Sequence, residues 1–86
     1  MEECLLEFPC AFAIKVMGQD SAAFRTGVVS IISRHAADFK EESMQERPSR
    51  NGRYVSLTAT IAARDQAQID RIYRDLSADE LVLFAL

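Results

Sequence analysis

The spacing of apolar residues changes period several times along this chain, and the order of the changes predicts its elements. From Ala11 to Met17 the pattern alternates. Phe12, Ile14 and Val16 point one way and Ala13, Lys15 and Met17 the other, which is the period of a strand. Gly18 and Gln19 read as a turn, after which Asp20 or Ser21 offers a side-chain oxygen to cap a helix. Phe24, Val28, Ile31, Ile32 and His35 then recur at helical spacing, and the stripe ends near Ala36 or Ala37. Residues 40–48 are polar, with enough helix formers to extend a helix on propensity alone. Pro48 and the Asn51-Gly52 pair favour an edge strand instead, because both residues of that pair tolerate positive φ and a hairpin needs a strand before its turn. Val55, Leu57, Ala59 and Ile61 form one face of the next strand, and Tyr54, Ser56, Thr58 and Thr60 the other. Asp65 caps a second helix whose buried stripe reads Ala67, Ile69, Ile72, Tyr73 and Leu76. Leu81 to Leu86 runs without a charge, a proline or a bulge signal, and suits a last strand buried on both faces or pairing along its edge.

Strand, helix, strand, strand, helix, strand closes most simply as a split βαβ pair with right-handed crossovers. The expected fold is α+β: a four-stranded antiparallel sheet of order 4-1-3-2 with both helices on one face. Residues 1–10 read as an irregular segment and 11–86 as a single domain. Leu5, Leu6 and Phe8 in that segment need somewhere to pack, and Pro9 halts any helix there. The final strand lies at an edge, where an uncharged strand invites pairing. The expected cover is a second copy of the chain, giving a homodimer, or the Leu5–Phe8 segment.

Composition narrows the function classes. The chain has 86 residues, 49% of them hydrophobic, and a formal net charge of -3, which argues against a nucleic-acid partner. Arg47, Arg50 and Arg53 cluster, but Glu41, Glu42 and Glu46 sit beside them, as in a solvated mixed-charge hairpin. No apolar run approaches the roughly 18 residues of a membrane span, so no membrane partner is expected. The acidic start, Met1-Glu2-Glu3, is unlike a secretory signal, and a cytoplasmic location is expected. Cys4 and Cys10 match no zinc or redox spacing. A bridge between them would close a loop near the terminus, and reduced thiols suit a cytoplasmic protein better.

Leu5-Leu6-Glu7-Phe8-Pro9, Phe12, Lys15-Val16-Met17-Gly18, Arg34-His35-Ala36 and the Gly52, Tyr54, Val55, Ser56 positions together resemble the YbeD-like family of small bacterial proteins. The resemblance covers nearly the whole chain. It implies a ferredoxin-like α/β plait similar to the ACT domains, which regulate metabolic enzymes by binding small ligands. It also implies a regulatory, lipoate-related role. Cys4 and Cys10 are not required by the family.

By analogy with ACT-type domains, Gly18, Gln19 and Asp20 would form a ligand site at a helix start, where backbone N–H groups face outward. The plainer reading of the same residues is a turn and an N-cap. Asp20 would repel an anionic ligand and tolerate an amine. His35 suits a place beside the negative end of its helix, and no Cys, Asp or second His stands at a spacing that completes a catalytic or metal site. Val16, Gly18, Phe24 and Arg25 faintly echo an acylphosphatase loop, one residue short and without its glutamine–glycine pair. No catalytic residue, metal or cofactor is therefore assigned. The expected function is a non-enzymatic regulatory module that binds a small metabolite. The alternative is a protein adaptor whose interaction surface includes Lys15, Tyr54, Leu81 and Leu83, on the open sheet face and the final strand.

Overall fold

The computed structural model describes residues 7–86. Leu5, Leu6 and Cys4 lie outside the described residues. The elements are β1 (Cys10–Gln19), α1 (Ala22–His35), a single 3₁₀ turn (Glu41–Ser43), β2 (Gln45–Pro48), β3 (Tyr54–Ala63), α2 (Gln66–Ala78) and β4 (Val82–Ala85). The sheet order is β2-β3-β1-β4 with every neighbouring pair antiparallel, the order expected from the sequence read from the other edge. No helix among the described residues is long and apolar enough to cross a membrane.

β1 and β3 make the centre. They run in unbroken register from Cys10↔Ala63 to Gln19↔Tyr54. Their alternation sends Ile14, Val16, Val55, Leu57, Ala59 and Ile61 to one face, where none is more than 2% exposed. Phe24, Val28, Ile31 and Ile32 of α1 and Ile69, Ile72 and Leu76 of α2 close over that face. Each of these Val, Leu, Ile and Phe side chains contributes about 1.5–3 kcal/mol by leaving water. Ser21 caps α1 by accepting from the Phe24 N–H at 3.1 Å, and Asp65 caps α2 by accepting from the Gln68 N–H at 2.8 Å.

The structure departs from the sequence reading in four places. Gly18 and Gln19 are not a turn. They extend β1 and pair with Val55 and Tyr54, and the reversal is left to Asp20 and Ser21. Residues 40–48 are not one strand. Ser43 donates from its backbone N–H and its hydroxyl to the Lys40 carbonyl (3.0 and 2.7 Å), which closes the 3₁₀ turn, and β2 begins only at Gln45. The hairpin between β2 and β3 is present, but its loop runs from Ser49 to Arg53 and only Gly52 has positive φ, 74°. Asn51 works through its side chain instead. Its Oδ1 accepts from the Ser49 hydroxyl at 2.9 Å and from the Arg53 N–H at 3.0 Å. Lastly, Ala67 is exposed, and Gln68 takes the inward position, 1% exposed. Its Oε1 accepts from the Arg64 N–H at 2.6 Å and its Nε2 donates to the His35 carbonyl at 2.8 Å. A buried amide bonded at both ends is stable there and ties the end of α1 to the start of α2.

Candidate functional site

The β4 end of the sheet is built by a tight turn. Asp79 Oδ1 accepts from the Leu81 N–H at 2.8 Å, and the Asp79 carbonyl accepts from the Val82 N–H at 3.1 Å. β4 then pairs with β1 as Gly18↔Val82, Met17↔Phe84 and Val16↔Ala85. The register shifts between Met17 and Gly18, a bulge that the uncharged run did not signal. Leu86 continues the ladder, exchanging backbone hydrogen bonds with Lys15 at 3.1 and 2.7 Å. The Tyr73 hydroxyl of α2 also donates to the Leu86 carbonyl, at 2.5 Å, and its ring meets Phe12 edge-on. Val82 and Ala85 lean on the core. Leu81, Leu83, Phe84 and Leu86 do not, being 44%, 56%, 49% and 68% exposed. The last strand is thus not buried on both faces. It pairs with β1 on one side, and no strand among the described residues pairs with its outer edge.

The register also defines the open face of the sheet, away from the helices. Gln45, Thr58 and Lys15 form one row across it, with Leu86 beside Lys15. Arg47, Ser56, Met17 and Phe84 form the next. Tyr54 and Gln19 follow, with Tyr54 half-buried. Lys15 and Tyr54 therefore share a face, whereas Leu81 and Leu83 belong to the edge. Sequence reasoning had not placed Arg47, Phe84 or Leu86 on this surface. Their alternation signals it only once the pairing partners are known.

Gly18, Gln19 and Asp20 do not form an open cradle. A Cβ built on Gly18 would stand 2.5 Å from the Leu81 carbonyl oxygen and 2.5 Å from the Phe24 ring, so the space above this residue is already filled. The Asp20 carboxylate lies 2.8 Å from the Arg25 guanidinium. Arg25 also donates to both Glu46 oxygens (2.7 and 3.0 Å) and to the Ser21 carbonyl at 3.2 Å. Its guanidinium joins the start of α1 to β2, with carboxylates on the positions that a phosphate would take. The Arg25 hydrogen bond holds the Glu46 carboxyl below the usual carboxylate range.

His35 does have an acidic neighbour. Its Nε2 is 2.6 Å from Asp75 Oδ2 across the two helices, a pairing that spacing along the chain does not reveal. Arg34 reaches the same oxygen at 3.3 Å. The His35 hydrogen bond is the main reason that the Asp75 carboxyl is held low. Cys10 is a partly buried free thiol.

This fold, with its helices on one face and its other face open, is the ferredoxin-like plait. The solution structure of protein HP0495 from H. pylori is similar to it with a TM-score of 0.81, over 99% of this chain and 89% of that one, at 14% identity. Residues 3–86 match the family described as protein of unknown function (DUF493). A UPF0250 protein of Nitrosomonas europaea, NE1487, is 42% identical over 85 residues, covering 99% of this chain and 98% of its own. A UPF0250 protein of Leptothrix cholodnii is 40% identical, over 99% and 93%. One of Neisseria gonorrhoeae is 40% identical, over 95% and 90%. The chain belongs to this family of small bacterial proteins, which is the YbeD-like family of the sequence motifs.

Proposed function

We propose that this chain is a non-enzymatic regulatory module that acts by binding another protein at the β4 end of its sheet. The observation that carries the reading is the edge itself. Four large apolar side chains stand exposed on and beside a four-residue strand, and among the described residues the other large apolar groups are buried or partly buried. An uncharged, unpaired edge is a template for a further strand, and proteins with no use for one blunt it. A metabolite site at Gly18, Gln19 and Asp20 fits the geometry less well, since Phe24 and Leu81 fill the space over Gly18 and Arg25 engages Asp20.

The test is affinity capture from bacterial lysate with wild type and a Leu83→Lys variant of equal melting temperature. A protein held by wild type and lost by the variant is the expected result. Identical captured sets would overturn the reading. So would a rise in melting temperature with lipoate, octanoate or an amino acid, because a ligand selective for the folded chain stabilises it.

A further inference from the structure

We propose that the open sheet face seats an acidic amphipathic helix of another protein, with one of its carboxylates held between Lys15 and Arg47 above the hydroxyls of Ser56 and Thr58. The proposal rests on the reading of the chain as a protein-binding module and names the chemistry of the partner.

The register carries the argument. Lys15 pairs with Thr58, and Arg47 pairs with Ser56, so the two cations flank the β3 hydroxyls from opposite sides. Short side chains on β3 between long ones on β1 and β2 leave a hollow of about 650 Å³, lined by Lys15, Gln45, Glu46, Arg47, Ser56 and Thr58. Glu46 is the one carboxylate among the described residues of that lining, and it is bonded through both oxygens to Arg25. Lys15 and Arg47 make no ion pair among the described residues. The chain as a whole carries a net charge of -3, yet among the described residues the inward–outward alternation of the four strands brings no Asp or Glu of a strand to the open face. Acidic groups among the described residues lie on other elements, as with Asp70, Asp75 and Asp79 on and after α2 and Glu41 and Glu42 in the 3₁₀ turn. A local cationic patch on an acidic molecule selects and orients a negative segment, and charge-assisted hydrogen bonds to a carboxylate fix it.

Beside the cations runs an apolar strip. Met17 and Phe84 are paired, and Leu86 flanks Lys15. From β2 to β4 the face is three strand spacings wide, about 14 Å. That matches a helix of roughly 10–12 Å diameter lying on it, with an apolar stripe next to an acidic one. Single-stranded RNA fits less well. Tyr54 and Phe84, the aromatic side chains here, stand on strands separated by β1, not side by side for stacking.

The test is selection of peptides about four helical turns long from a random display library on the immobilised full chain. Enriched peptides are expected to be net negative, with apolar residues three and four apart. Their retention should fall at least about tenfold on a Lys15→Glu/Arg47→Glu variant, as charge-assisted contacts are lost. A Lys15→Met/Arg47→Met variant, checked by thermal melting, gives the same readout if the charge reversal does not fold. Enrichment of neutral or basic peptides, or retention unchanged by either variant, would overturn the proposal. It would equally fall to retention of a random RNA pool at physiological salt, or to free octanoate or glutamate occupying the same residues by NMR. A multimer seen by light scattering and abolished by the double variant would make the acidic partner a second copy and overturn it too. If Leu83→Lys loses captured protein while the double variant keeps it, the module reading stands and the acidic-helix proposal fails.

Discussion

The two edges of this sheet are alike in length and opposite in chemistry. β2 and β4 are each four residues long, and each pairs with a ten-residue central strand. β2 reads Gln45-Glu46-Arg47-Pro48, and its Glu46 is bound to Arg25 on α1. Charges and a terminal proline make it a poor template for another strand. β4 reads Val82-Leu83-Phe84-Ala85 and has neither. Among the described residues, then, one edge carries charges and a proline that guard it and the other carries neither. Fold position alone cannot account for the bare side, since both edges occupy equivalent places in the plait.

Substitutions at and beside the two edges are expected to differ in how much stability they remove. Gly18→Ala is the most severe. Its methyl meets a backbone oxygen and a core ring at 2.5 Å, and overpacking of this kind costs about 1–3 kcal/mol. Chemical denaturation should show that loss, and amide exchange should show β4 protected less than β2. Gly52→Ala acts at the guarded edge. The backbone there has φ of 74° with open space around it, so the expected cost of about 1–2 kcal/mol is conformational and appears in the denaturation midpoint without a packing defect.

Glu46→Gln should have a smaller effect, and one that depends on pH. Glu46 titrates below its ordinary value in the folded chain, so its contribution is present above about pH 4.5 and is lost as pH falls through the lower folded value. Melting curves of wild type and variant should therefore differ at neutral pH and converge in acid. A constant difference would mean that the Arg25 pair contributes nothing through charge. Leu83→Lys is the mildest, since the side chain is 56% exposed, and stability should stay within about 0.5 kcal/mol. Its expected effect lies in protein capture, and loss of stability instead would show that Leu83 is a packing residue.

The central strands were legible in the sequence because each inward position on β3 from Val55 to Ile61 is apolar and each outward one is polar or small. Gln68 was missed for the converse reason. A glutamine reads as solvent-facing, and what buries it is a pair of backbone groups, on Arg64 and His35, that no periodicity records. Asn51-Gly52 announced the hairpin, but the hydrogen bonds of Asn51 Oδ1 chose a longer loop than the dipeptide alone suggests. The candidate surface was half legible. Lys15, Tyr54, Leu81 and Leu83 are local readings. Arg47 and Phe84 join them only through register, where a slip of one residue would have sent both to the opposite face. Asp75 is 40 positions from His35, and only the packing of α1 on α2 joins them.

The crowding at Gly18 has a consequence for how the molecule presents itself. With the Leu81 carbonyl seated against that bare α-carbon and the bulge beginning at the next pair, β4 has a detent along its track. Sliding it would drive Cβ-bearing neighbours into the notch that glycine leaves vacant. A held register keeps position 84 opposite Met17 on the open face, so the apolar strip offered to an approaching molecule stays beside the cations.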